Sequence, residues 1–240
     1  MLAFLSAPAT AAPLVADLSD HQIAIRSTFT GADILLFGSV NAPEEIKADV
    51  VVVVRGPERA VTVRKKSQIG PIWANTSSIR FDRTPGFYWV ASTEPLGTIA
   101  PPTLLDRQQI GLNHLSLPVH SEETNTDNVP GFRSALIRNR MAEGLYGEEP
   151  DAIRFVGPGL FRTTIRLPAN VPVGTYRVQA FLLIDGKIEG AHFSPLFIDK
   201  SGIEREIYTL ATHQPFLYGA LAVAIAVLAG WGAGAIFRKG

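Results

Sequence analysis

With 240 residues, 46% of them hydrophobic, the chain is long enough to bury the core of one or two domains. Its 22 basic and 22 acidic side chains cancel to a formal charge of +0, so composition offers none of the cationic excess that nucleic acid binding demands. There is no cysteine, which excludes disulfides, thiol nucleophiles and cysteine-ligated zinc.

The chain opens MLAFLSAPATAAPLVADLSD. Ala9-Thr10-Ala11 has the small-x-small form of a signal-peptide cleavage site, and Leu2 to Leu5 resemble the tail of an apolar h-region with no basic segment before it. Residues 1–12 therefore read as the remnant of a signal peptide whose beginning precedes the recorded start. The competing reading is a cytosolic domain with a tail anchor.

Residues 13–200 carry mostly strand patterns. HQIAIRS (21–27) and DILLFGSV (33–40) are short apolar runs separated by a turn at Thr30-Gly31-Ala32. DVVVVVRG (49–56) is β-branched almost throughout, which predicts a strand inside a sheet with both faces covered. Gly56-Pro57-Glu58-Arg59 then leads into AVTVRK, and the pair predicts a hairpin across that turn. GFYWVAST (86–93) is a further, aromatic-rich strand.

Residues 94–150 differ, being rich in Pro, Asn, Asp and Glu. Within them Phe132, Leu136, Ile137, Met141 and Leu145 recur at helical spacing, which predicts a helix over 132–146 opened by Pro130-Gly131. Three strands follow: LFRTTIRLP (160–168), GTYRVQAFLLI (174–184) and KIEGAHFSPLFI (187–198). Asp185-Gly186 is a strong two-residue hairpin signal between the last two. Gly174-Thr175-Tyr176, with Val178 where antibody domains carry cysteine, matches the tyrosine corner of immunoglobulin-like sandwiches; an ordinary turn before a core tyrosine is the competing reading. The fold expected is mainly β, an immunoglobulin-like β-sandwich with a helix-containing insertion at about 94–150. Two small sandwiches split near residue 120 are the alternative.

Residues 201–213 form a connector with Ile203, Ile207 and Leu210 at helical spacing. From Pro215 to Phe237 no residue is charged. A helix of that length spans about 35 Å, enough for a hydrocarbon core of roughly 30 Å, so 214–237 reads as a single C-terminal transmembrane helix. Tyr218 and Trp231 stand near its ends, as interfacial aromatics do. Arg238 and Lys239 in the 238–240 tail bias the C-terminus to the cytoplasm and the large domain to the periplasm. Ala222, Ala226, Gly230 and Gly234 recur every four residues and form a ridge of small side chains on which another helix can pack closely. Small residues are also common in membrane helices generally, which is the competing explanation.

Together LVADLSDHQIAI, DVVVVVRGPE, PGFYWVAST, LFRTTIRLPANVPVGTYRV and QPFLYGALAVAIAVLAGWGAGAIFR resemble a family of alphaproteobacterial transmembrane proteins over nearly the whole chain, Leu14 to Arg238. The resemblance implies an exported N-terminal part and one C-terminal span, with no activity and no catalytic residues to carry over. It also implies a polytopic partner of the sulfite-exporter-like kind.

The search for chemistry yields little. His114 and His120, with Glu122 and Glu123, are the only local grouping with metal-ligand chemistry, and no regular element aligns them. His21 stands beside Asp17 and Asp20. Arg133, Arg138 and Arg140 make a cationic helix face, read as solvated or as touching lipid headgroups. No Gly-x-Ser-x-Gly, Ser-x-x-Lys, Walker or Gly-x-Gly-x-x-Gly motif is present. The expectation is a non-enzymatic accessory subunit of the inner membrane, without metal or cofactor, whose partners are the bilayer and either a polytopic protein or a second copy. The alternative is an anchored binding or catalytic protein with its site at 94–150.

Overall fold

The computed structural model describes residues 13–41, 47–120 and 128–200, and nine residues between 215 and 231. The chain divides into two compact units, Met1–Ile23 with Phe29–Asp199, and Ala24–Thr28 with Lys200–Gly240. The fold is mainly β. In chain order the described elements are β1 (Leu14–Leu18), β2 (Gln22–Ile25), β3 (Gly31–Val40), β4 (Ala48–Arg55), β5 (Glu58–Ile69), β6 (Ile72–Pro85) and β7 (Tyr88–Ser92). Helices α1 (Leu96–Ile99), α2 (Pro102–Gln108) and α3 (Val129–Ala142) follow. Strands β8 (Tyr146–Glu149), β9 (Arg154–Gly157), β10 (Leu160–Pro168), β11 (Gly174–Ile184) and β12 (Lys187–Lys200) complete the set.

One sheet has the order β1-β3-β10-β9, a second β2-β12-β11-β4-β7-β8, and β5 pairs with β6 by itself. In the first sheet alternate residues are buried: Leu14, Ala16 and Leu18, then Ile34 and Leu36, then Phe161 and Ile165. That period of two is what a strand with one face on a core requires. Gly38 belongs to the same inward row, and a Cβ there would stand 2.4 Å from the Val15 carbonyl oxygen and 2.6 Å from the Phe161 ring. Only glycine lets those strands approach so closely.

Strand β4 is buried on both faces, Val50 to Val54 at 1% exposure or less. It lies between β11 and β7, inside its sheet as its β-branched run predicts. Each such valine contributes roughly 1.5–3 kcal/mol by leaving water. The β11–β12 hairpin turns at Asp185 (φ 50) and Gly186 (φ 73), the two positive values a type I′ turn needs. Tyr176 is fully buried at the start of β11, and its hydroxyl donates to the Pro172 carbonyl at 2.5 Å. The Gly-x-Tyr segment thus buries a tyrosine whose hydroxyl ties the start of β11 back to the chain four residues upstream.

Two expectations need correction. The hairpin predicted between β4 and β5 does not form. Instead the Gly56 amide donates to the Phe87 carbonyl and the Gly86 amide to the Pro57 carbonyl, both at 2.8 Å. These bonds continue the β4–β7 ladder directly into the β5–β6 ladder, Arg55↔Tyr88 being followed by Glu58↔Pro85. Gly56-Pro57 is thus a bend within one long strand pair, and the true reversal is at Gly70-Pro71, where Gly70 has the positive φ of 59 that the loop asks of its first residue. The second correction concerns the helix expected over 132–146. It runs Val129–Ala142, because Asn128 caps it by accepting from the Gly131 amide at 3.3 Å and Gly144 stands at φ 71 just beyond its end. Phe132 and Leu136 are buried as predicted, whereas Met141 is 49% exposed.

The three helices lie between β7 and β8, which pair in parallel, and so they serve as the crossover that parallel strands need. Arg55 fastens α2 to the sheet. Its guanidinium donates to the carbonyls of Gln108 at 2.6 Å and Gln109 at 3.0 Å, at the C-terminus of α2, and to the Gln179 side chain. A cation there also meets the negative end of the helix dipole.

Candidate functional site

Three places in the described residues hold chemistry or unusual surface. The first is a cleft of about 280 Å³ lined by Leu96, Leu105, Asn113, His114 and Glu148. Its histidine is oriented by a carboxylate, Nδ1 of His114 standing 2.6 Å from Oδ1 of Asp106. Glu148 is already engaged, Oε2 accepting from the Leu112 amide at 2.9 Å. An aspartate-oriented imidazole is half of a base, but acyl or phosphoryl transfer also needs a nucleophile beside it. The lining supplies no serine, threonine, lysine or cysteine.

The residues singled out as chemical candidates are separated rather than gathered. His120 turns to Asp82, with Nδ1 at 2.8 and 2.9 Å from its two carboxylate oxygens, while His114 turns to Asp106. Glu122 and Glu123 lie outside the described residues. Among the described residues no group of three or more His, Asp or Glu is placed to hold a metal. His21 pairs on the surface with Asp17 at 2.9 Å. Of the three helix arginines, Arg133 donates to the carbonyls of Asn113 at 2.9 Å and Leu115 at 2.7 Å, pinning the loop before α3. Arg140 pairs with Glu143 at 2.9 Å. Arg138 lines a groove of about 340 Å³ between β5 and α3 together with Arg64 and Lys65.

The buried polar node under the helices centres on Tyr88. Its hydroxyl donates to the Gln109 carbonyl at 2.6 Å and accepts from the Gly111 amide at 3.0 Å, and the Arg55 guanidinium lies 5.9 Å from its ring centre. Burial pushes its phenol up to about 12. Burial likewise raises Tyr146 and Tyr176, and lowers Arg55. These groups fasten elements together.

The second place is the outer face of the first sheet. Val15, Leu35, Phe37 and Leu160 are 38–49% exposed there. The register puts Phe37 opposite Asp17 and Arg162, with Val15 and Leu160 both opposite the neighbouring outward Ser39. Val15 and Leu160 are therefore diagonal neighbours of Phe37 on either side, within reach of its ring and interleaved with Ser39, Asp17 and Arg162. Asp17 and Arg162 flank Phe37 directly, and the Asp33–Arg166 pair lies beyond Leu35.

The third is the end of the β5–β6 hairpin, where Ile69, Ile72 and Trp73 are 56%, 62% and 68% exposed. Sequence reading missed both surfaces. The signals were available: DILLFGSV is apolar without alternation, and IGPIW sets three large apolar side chains around a Gly-Pro turn.

The helix-packing residues Ala222, Gly230 and Gly234 and the topology pair Arg238 and Lys239 lie outside the described residues. Ala226 is described, with helical backbone and an exposed surface, as are Phe216, Val223, Val227, Leu228 and Trp231. Among the described residues no helix is long and apolar enough to cross a membrane.

Comparison with known proteins gives one extensive match: the family described as "Putative transmembrane protein (Alph_Pro_TM)" covers residues 13–239. None of the curated proteins matches. Among solved structures, the sporulation control protein Spo0M of Bacillus subtilis is 12% identical, with 85% of this chain and 56% of Spo0M covered and a TM-score of 0.26. The chain thus spans little more than half the length of Spo0M, and a likeness that slight carries no argument.

Proposed function

The chain belongs to this transmembrane protein family, and from that premise we propose a single-pass, membrane-anchored interaction protein without catalytic activity. Its exported, periplasmic domain comprises residues 13–200. A helix over 214–237 holds it in the inner membrane, with Arg238 and Lys239 in the cytoplasm. The domain is an immunoglobulin-like sandwich. Supporting this, the sheet order β1-β3-β10-β9 follows the A-B-E-D order of that fold, and β12-β11-β4 follows G-F-C, with the tyrosine-corner bond at the start of the F-like strand. The exposed apolar side chains with helical backbone between Phe216 and Trp231 suit a segment solvated by lipid.

The observation that carries the interaction role is the apolar patch around Phe37. A domain that buries Val50 to Val54 completely has core enough not to need exposed aromatics, and exposed large apolar side chains set among charged ones on one sheet face suit a contact surface. The partner is a polytopic membrane protein, of which a sulfite-exporter-like transporter is the named candidate, or a second copy. The ridge Ala222, Ala226, Gly230 and Gly234 adds a second contact within the bilayer. Affinity purification from membranes with mass spectrometry tests this. Phe37→Asp and the pair Gly230→Leu with Gly234→Leu are each expected to lose a partner that the wild-type chain retains in mild detergent. Equal recovery from all three chains would overturn the proposal.

A second reading rests on the His114–Asp106 cleft, which suits a small ligand with a hydrogen-bonding group at the imidazole. His114→Ala would then abolish a ligand-induced thermal shift that Phe37→Asp leaves intact.

A further inference from the structure

Between Glu58 and Asp82 the chain carries Arg59, Arg64, Lys65, Lys66 and Arg80 and no carboxylate. This is the long β5–β6 hairpin, and the charge excess is local to it, since the whole chain is neutral. At its end stand Ile69, Ile72 and Trp73, the most exposed large apolar side chains described in residues 13–200. Ile69 pairs with Ile72, and Gln68 with Trp73, so pairing runs up to the turn and presents these residues at the end of the hairpin. Packing inside the domain does not account for them. Ile79 and Phe81, nearer the root of the same strand, are buried at 1% and 0%, and Phe81 bridges to Val119. The hairpin is therefore tied down at its root and bare at its end.

We infer that the β5–β6 hairpin is a second membrane contact, its Ile69, Ile72 and Trp73 tip entering the interface of an anionic bilayer while Arg64, Lys65 and Lys66 meet the lipid phosphates. This rests on the membrane-anchored reading above. Dimensions support it. At about 3.4 Å per residue, Lys66 is roughly 10 Å and Arg64 roughly 17 Å along the strand from Ile69. An apolar element of an interfacial protein sinks about 5–10 Å to the headgroup and acyl boundary. Cations 10 to 17 Å behind its leading residue then fall at and just outside the phosphate level, within reach of long flexible side chains. Tryptophan with isoleucine suits this boundary, because its ring is apolar and its N–H is not. The groove behind the cations, with Arg64, Lys65 and Arg138 and no carboxylate in its lining, extends the same positive field. Each cation near an anionic surface strengthens binding about fivefold. An anchor makes the contact intramolecular, so even weak intrinsic affinity holds the hairpin down.

The absence of native cysteine allows a single label to report on the tip. Ile72→Cys in the full chain, with a nitroxide attached, is reconstituted in phosphatidylcholine vesicles with or without phosphatidylglycerol. Collision with lipid-soluble oxygen and with a water-soluble nickel chelate is then compared, with Ala169→Cys as an exposed control. The expected result is preferential oxygen collision at position 72 but not 169. It should be strengthened by the anionic lipid, and R64Q/K65Q/K66Q should lower the inserted-to-free ratio about a hundredfold. Equal nickel access at both positions, in vesicles that still retain the protein after alkaline washing, would overturn the inference and leave the anchor standing. Loss of the protein from the vesicles would overturn both. Shielding of position 72 from both probes would overturn the inference in favour of a contact between copies.

Discussion

Replacing Tyr176 with phenylalanine isolates one hydroxyl. The ring is fully buried and sits 5.9 Å from the Phe87 ring, and phenylalanine keeps that packing and its apolar area. What is lost is the 2.5 Å bond to the Pro172 carbonyl, which ties β11 to the chain entering it. A net hydrogen bond is worth about 0.5–1.5 kcal/mol, and an acceptor left dry adds a further roughly 1–3 kcal/mol. Pro172 is half-buried, so water recovers part of the second contribution. The expected loss is about 1.5–2.5 kcal/mol. For a domain of this size that lowers Tm by about 3–10 °C. Denaturant unfolding of the full chain in detergent, followed by fluorescence of the buried Trp89, measures it. The m-value should be unchanged, because the same surface is exposed on unfolding. A change below about 0.3 kcal/mol would refute the assignment of this bond as a structural tie, and so would an equal loss on mutating a solvent-exposed hydroxyl such as that of Thr164.

Other outcomes follow from the same packing. Tyr88 is held to about 12 when folded against an ordinary 10, so its neutral form is preferred in the native state. Its contribution is complete below pH 10 and is lost as pH rises from 10 to 12, about 2–3 kcal/mol in all; melts across that range should fall more steeply for wild type than for Tyr88→Phe. Gly38→Ala forces a Cβ against Val15 and Phe161 and should cost about 1–3 kcal/mol or more, whereas Gly97→Ala, with nothing within 4 Å, should cost nothing in urea unfolding. Arg55→Met leaves the Gln108 carbonyl and the Gln179 side chain without their donor, while the Gln109 carbonyl keeps the Tyr88 hydroxyl, and should destabilise by about 1–3 kcal/mol, with hydrogen exchange rising first in α2.

What the sequence alone determined is what neighbouring residues decide among themselves. Asp185-Gly186 turns because those two residues tolerate positive φ, and Tyr176 reaches Pro172 because the partner is four positions away. The valine run at β4 is buried on both faces because no polar side chain interrupts it. Tertiary structure decided the rest, because strand pairing and surface exposure depend on residues far along the chain. Gly56-Pro57 looked like a turn until Phe87 and Gly86, about thirty residues later, took the Gly56 amide and the Pro57 carbonyl as hydrogen-bonding partners. His114 and His120 looked like one group until Asp106 and Asp82 drew them to separate carboxylates. Phe37 and Trp73 are indistinguishable from core residues by composition. They are exposed because the strands that carry them are packed on one side only, or on neither, and no local pattern states which side has a neighbour.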